Sequence, residues 1–168
     1  MSRSPMAYVG SNPVKATVLV VDDSLEIQRY FRALLELDSY RVETASSGHE
    51  ALQALRRGCT PEVVLLDLQM PGMDGLETLR RLQEFRSKPK VIMCSGVDDP
   101  DKIREAASLG AHAYLLKPIQ HLYLSAAVDR CLHEGPAKPP VEPLGAQLFV
   151  LPSPSPLSAI TPVPDFKS

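Results

Sequence analysis

The sequence predicts an α/β fold: a doubly wound, five-stranded parallel sheet with helices on both faces. Three observations predict it. Two uniformly apolar runs, Thr17-Val18-Leu19-Val20-Val21 and Val63-Val64-Leu65-Leu66, have the composition of strands buried on both sides. Segments of helical periodicity alternate with strand-like runs along the chain. Residues able to do chemistry follow four of the five strands, as expected at the carboxyl edge of a parallel sheet.

The first strand ends in Asp22-Asp23, and Ser24 follows as an N-cap. Ile27, Tyr30, Phe31 and Leu34 fall at i, i+3, i+4 and i+7, one apolar face of a first helix. Arg41-Val42-Glu43-Thr44-Ala45 alternates polar and apolar, the mark of an edge strand with one wet side. Ser47-Gly48-His49-Glu50 forms a capping box, and the helix it opens runs to about Arg57, with Gly58 as its left-handed stop. The third strand lies between Pro61 and Pro71-Gly72 and ends in Asp67. Leu76, Leu79 and Leu82 mark a third helix, for which Asp74 is the cap. Lys90-Val91-Ile92-Met93 is a fourth strand, followed by Cys94-Ser95-Gly96. Asp99-Pro100 starts a helix that closes at Gly110. Ala113–Leu116 is the fifth strand, leading into Lys117-Pro118. Leu124, Ala127, Val128 and Cys131 line the last helix. The strand order expected is 2-1-3-4-5, a flavodoxin-like (βα)5 arrangement.

The chain has 168 residues, enough for one full core. Residues 15–134 are expected to form that domain, 1–14 a flexible leader, and 135–168 a disordered or extended tail. Nine of the sixteen prolines follow Gly135. Within the tail, Leu148-Phe149-Val150-Leu151 is an apolar island, readable as a docking motif or as part of a partnerless tail. The net charge of −2 gives no basis for nucleic-acid or anionic-membrane partners. Cys59, Cys94 and Cys131 lack metal-ligand or CxxC spacing and read as reduced packing residues, which fits a cytoplasmic protein. No apolar run reaches the ~20 residues needed to span a bilayer.

Asp22, Asp23, Asp67, Ser95 and Lys117 all follow strands and therefore converge at one sheet edge. Three carboxylates in one small site stay ionised together only around a cation. Hard oxygen donors point to Mg²⁺, which keeps waters and shares its shell with phosphate oxygens. Lys117 and Ser95 would serve a phosphoryl group, with Asp67 as a carboxylate nucleophile.

The segments VLVVDDS (18–24), VVLLDLQMPGMDGLE (63–77), VIMCSG (91–96) and GAHAYLLKPI (110–119) resemble the receiver domain of two-component response regulators, in the stand-alone, CheY-like form. The resemblance covers roughly residues 15–133. It implies that Asp67 accepts a phosphoryl group from a histidine kinase or phosphotransfer protein. It implies an Mg²⁺ site made by Asp22, Asp23, Asp67 and the backbone carbonyl of Gln69. Ser95 would be the switch hydroxyl and Tyr114 the switch aromatic that turns inward. Lys117-Pro118 would be a cis peptide. Output would pass to a downstream protein through the face of helix 4, strand 5 and helix 5, from a monomer or a phosphorylation-linked dimer. Such a domain is a switch rather than an enzyme, with only self-phosphorylation and slow autodephosphorylation. Neutral Gln69 and apolar Val97 do not position a water in any obvious way, which argues against fast self-hydrolysis.

Two other classes share parts of this pattern. A receiver-fold adaptor that works without phosphorylation would be expected to have lost part of the Asp-Asp-Asp-Lys set, and all of it is present. A phosphatase of the haloacid-dehalogenase type also uses an Asp nucleophile, Lys and Mg²⁺, but needs a proton donor where Gln69 stands. Cys94 reads as packing, and His49, His112, His121 and His133 as scattered, solvated residues.

Overall fold

A computed structural model describes residues 13–133 and 148–150. The expectations for residues 1–12, 134–147 and 151–168 lie outside the described residues. Strands β1 (Thr17–Val21), β2 (Arg41–Ala45), β3 (Val63–Asp67), β4 (Lys90–Ser95) and β5 (Ala113–Leu116) alternate with helices α1 (Leu25–Leu37), α2 (Gly48–Arg56), α3 (Gly75–Leu82), α4 (Pro100–Ser108) and α5 (His121–His133). The five strands are parallel in the order β2-β1-β3-β4-β5, the predicted flavodoxin-like topology. A sixth strand, β6 (Leu148–Val150), pairs antiparallel with β5. The sequence reading has no strand there, because three residues among prolines carry too little periodicity to register.

The helix boundaries follow local chemistry. Ser24 Oγ accepts the Ile27 N–H, and Asp74 Oδ1 accepts the Glu77 N–H. Asp99 Oδ1 caps α4 through the Asp101 N–H, with Pro100 in the first turn. At α2, Ser47 Oγ accepts the Glu50 N–H, while the Glu50 carboxylate reaches back to the Ser46 N–H. Gly58 and Gly110 stop their helices at φ +102° and +101°, a backbone region costly for any residue with a Cβ.

Two cores flank the sheet. Side chains from α1 and α5 (Phe31, Leu35, Leu124, Val128) cover Val18, Val20, Val63 and Leu65. Those from α2, α3 and α4 (Leu52, Leu79, Leu82, Ala106) cover Leu19, Val64, Leu66 and Met93. This two-sided burial is why β1 and β3 read as unbroken apolar runs.

The core face of α1 carries the predicted Ile27, Phe31 and Leu34 together with Gln28 and Leu35, and of the predicted four only Tyr30 lies outside it. Tyr30 is exposed, with its hydroxyl donating to the Ile119 carbonyl. Two histidines also depart from the solvated reading. His112 Nδ1 accepts the Val91 N–H, and burial together with Lys90 holds its pKa below the usual value. His121 Nε2 lies 2.8 Å from Asp38 Oδ2, and Ser125 Oγ donates to the same oxygen. Asp38 caps the end of α1, so this cluster ties α1 to α5.

Partial burial pushes the Asp38 carboxyl upward. Hydrogen bonds from Ser125 and His121, with the charges of His121 and Lys15, outweigh it and hold the pKa below 3.8. A carboxyl held low contributes stability above its unfolded pKa and loses it as pH falls through the folded one. Asp38→Ala is therefore expected to lower unfolding free energy by about 1–2 kcal/mol at neutral pH. In urea titrations the gap from wild type should close as pH falls below 3.8. A gap that is constant with pH would contradict the assignment.

Candidate functional site

The parallel register brings the ends of the central strands to one edge. Asp67 is the last residue of β3 and stands opposite Cys94 of β4. Asp22 follows β1, Ser95 ends β4, and Lys117 follows β5. Pro118 is joined to Lys117 by a cis peptide, as the family resemblance implied.

Asp22, Asp23 and Asp67 each offer a carboxylate oxygen, and these oxygens lie within 4.8 Å of one another. Asp22 and Asp67 are buried, and Asp23 is exposed. Lys117 Nζ lies 2.6 Å from Asp22 Oδ2 and 3.4 Å from Asp67 Oδ1. The other Asp22 oxygen accepts the Ser24 N–H at 2.9 Å, and Asp67 Oδ1 accepts the Gln69 N–H at 3.3 Å. Burial raises the Asp67 pKa and the Asp22 charge adds to this, against the pull of Lys117 and the Gln69 N–H. Burial also works against the Lys117 charge, but Asp22 and Asp67 outweigh it and hold the ammonium above its usual range.

This donor set fits a hard divalent cation. Three carboxylates exceed the charge of the single lysine, and the raised Asp67 pKa marks first its desolvation and then its closeness to Asp22. An open face at Asp23 leaves room for waters, as Mg²⁺ prefers.

Ser95 is fully buried, and its Oγ accepts the Val97 N–H at 3.1 Å. Tyr114 is also fully buried, with its hydroxyl donating to the Val97 carbonyl at 2.8 Å. Burial lifts the Tyr114 pKa, and the hydrogen bond with Ser95 works against that shift. Ser95, Val97 and Tyr114 thus form one linked group beside the acidic cluster. Burial pushes the Cys94 thiol far up, which leaves it protonated and suits packing. A cavity of about 520 Å³ opens next to the site between the β3–α3 loop and α4, lined in part by Gln69, Met70, Val97 and Lys102.

Sequence reasoning missed two supporting residues. Gln28 is buried, and its Nε2 donates to the Asp22 carbonyl at 2.6 Å and to Ser46 Oγ at 3.0 Å, which braces the β1–α1 turn. A polar residue on the buried stripe of α1 is the signal that could have found it. Gly75 is the second. A Cβ there would lie 2.2 Å from the Asp67 carbonyl oxygen and 2.7 Å from Leu68 Cα. Its N–H donates to the Leu68 carbonyl, so α3 begins in backbone contact with the residues that carry Asp67.

With this geometry in view, the comparisons with known proteins agree. The family described as "Response regulator receiver domain" matches residues 18–129. The positive alginate biosynthesis regulatory protein of Pseudomonas aeruginosa is 41% identical over 116 residues, covering 67% of this chain and 46% of that protein. This chain thus spans about half the length of that relative. The chemotaxis protein CheY of Halobacterium salinarum is 33% identical over 115 residues, covering 68% of this chain and 95% of that one. Among solved structures, the Borrelia burgdorferi complex of CheX with CheY, BeF3 and Mg²⁺ is similar at 26% identity and TM-score 0.66, covering 70% of this chain and 90% of that one. The chain belongs to the response-regulator receiver family. A receiver domain is a signalling module of two-component systems rather than a classical enzyme, and receiver domains take their phosphoryl groups from histidine kinases. Among the described residues, no helix is long and apolar enough to cross a membrane.

Gly75→Ala is expected to cost about 1–3 kcal/mol, since backbone on both sides must move. Gly96→Ala, where a Cβ meets nothing within 4 Å, serves as the control and should be nearly neutral. Chemical denaturation of both variants checks this, and equal midpoints would contradict it.

Proposed function

We propose that this chain is a phosphorylation-dependent switch in which Asp67 accepts a phosphoryl group from a histidine kinase or phosphotransfer protein. The observation that carries the reading is Asp67 Oδ1 beside Lys117, with Asp22 and Asp23 close enough to share a cation with it. The receiver unit is residues 15–134, and the protein is cytoplasmic.

In the transfer, the ionised Asp67 carboxylate attacks phosphorus. The phosphorus–nitrogen bond of phosphohistidine breaks, an oxygen–phosphorus bond to Asp67 forms, and the released imidazole takes a proton from water. Asp22, Asp23, Asp67 and the Gln69 carbonyl would hold Mg²⁺, which would supply positive charge to offset the phosphoryl oxygens. Lys117 ion-pairs with the incoming oxygens and gives up part of its contact with Asp22. Ser95 turns its hydroxyl from the Val97 N–H toward the phosphoryl group. That exchange disturbs the Ser95–Val97–Tyr114 group and shifts the balance between the buried Tyr114 state seen here and others. The face formed by α4, β5 and α5 then presents a different surface to a downstream protein or to a second copy.

Intact-mass analysis after incubation with a small phosphodonor tests this. Wild type should gain one phosphoryl group in the presence of Mg²⁺ and none after chelation, and Asp67→Ala should gain none in either. An adduct of equal yield on Asp67→Ala, or no adduct on a folded wild type, would overturn the reading.

A further inference from the structure

β5 is the last strand of the parallel sheet, and β6 pairs along it in the register Ala113↔Val150, Tyr114↔Phe149 and Leu115↔Leu148. An unpaired edge strand exposes a row of amide and carbonyl groups that any free strand can join. The direction of those groups on β5 can be worked out. The His112 N–H donates to the Val91 carbonyl of β4. Backbone groups alternate sides along a strand, so Tyr114 also faces β4 and Ala113 and Leu115 face outward. The outward residues are the two that stand opposite Val150 and Leu148, and an antiparallel pair exchanges its hydrogen bonds at every second residue.

The sequence of the tail explains why this segment suits the edge. Proline has no N–H and cannot donate to a ladder. After Gly135, prolines interrupt the chain at short intervals, and 144–151 is the longest run without one. That run is also uncharged, and Leu148-Phe149-Val150 is its block of strand-favouring residues. Residues 134–147 join it to the end of α5 and can span roughly 45 Å at about 3.3 Å each, more than the width of the sheet.

We propose that Leu148–Val150 is an intramolecular edge strand that closes β5 and holds that edge against strand addition by a second copy of this chain. A three-residue strand is weak by itself. Tethering gives it an effective concentration on the order of millimolar, which a strand arriving from another molecule at micromolar concentration does not match. The closed edge belongs to the strand that carries Tyr114 and runs into Lys117, within the face proposed above for output. β6 therefore occupies in cis an edge that a strand of a second copy must clear before it can bind.

The experiment is residue-resolved amide hydrogen exchange on the full chain, wild type beside Leu148→Pro/Val150→Pro, which removes both donors of β6. In wild type, the Ala113 and Leu115 amides should exchange at least tenfold more slowly than in the variant. The Tyr114 amide, bonded toward β4, should be the same in both and reports that the sheet is intact. Phe149→Gly, which weakens the strand but keeps every N–H, should give intermediate rates at Ala113 and Leu115. Equal rates at Ala113 and Leu115 in wild type and double variant would overturn the proposal. None of these measurements needs phosphorylation, so the result is independent of the reading of Asp67.

Discussion

The structure turns on a charge imbalance at one sheet edge. A parallel sheet gathers the carboxyl ends of β1, β3 and β5 into one place, and this chain puts Asp22, Asp23, Asp67 and Lys117 there. Two of the carboxylates are buried, and a single ammonium serves both. Burial raises the pKa of Asp67, and the nearby Asp22 charge adds to that shift against the pull of Lys117. Much of the surrounding architecture supports this cluster. Gln28 fixes the Asp22 backbone from α1, and the N–H groups of Ser24 and Gln69 hold one oxygen each of Asp22 and Asp67. Gly75 lets α3 start against the Asp67 carbonyl. A site held this firmly in an unfavourable charge state is ready to gain from a cation, and then from a group that such a cation attracts.

Much of this was legible in the sequence, for a physical reason. Strands buried on both faces can only be apolar, so β1 and β3 stand out, and the wet side of β2 shows as alternation. The topology then forces their ends together, so one fold-level inference places four charged residues at once. What the sequence hid depends on angle and distance. On α1, Ile27, Phe31 and Leu34 pack as predicted, but Tyr30 reaches past the helix to the Ile119 carbonyl, while Gln28 turns inward to meet a backbone acceptor. A periodicity count treats tyrosine as apolar and glutamine as polar, and here both expectations fail. The stop of α1 was equally silent, since Ser39, at φ +69°, takes the left-handed position where glycine is the usual signal. Gly75 gives no signal at all, because close backbone approach leaves no pattern in sequence.

The region beyond the acidic cluster is arranged in a short chain of contacts. Ser95 and Tyr114 both bond to Val97, one to its N–H and one to its carbonyl. Val97 also lines the cavity beside the site, together with Gln69 and Lys102. Ser95 and Tyr114 are thus linked through the Val97 backbone. The same strand that holds Tyr114 carries β6 on its outer side. The sheet therefore has charge concentrated at its carboxyl edge and a closed backbone ladder at its flank, with Tyr114 between them.

The central claim is that the acidic cluster costs stability until a cation neutralises it. Thermal unfolding of wild type and Asp67→Asn, each with and without Mg²⁺, tests it most directly. Without Mg²⁺, Asp67→Asn should unfold at a higher temperature than wild type, because a buried charge has been removed from beside Asp22. Mg²⁺ should raise the wild-type midpoint progressively with concentration and raise that of Asp67→Asn much less. A wild-type midpoint indifferent to Mg²⁺, together with an Asp67→Asn midpoint below wild type in its absence, would contradict the account.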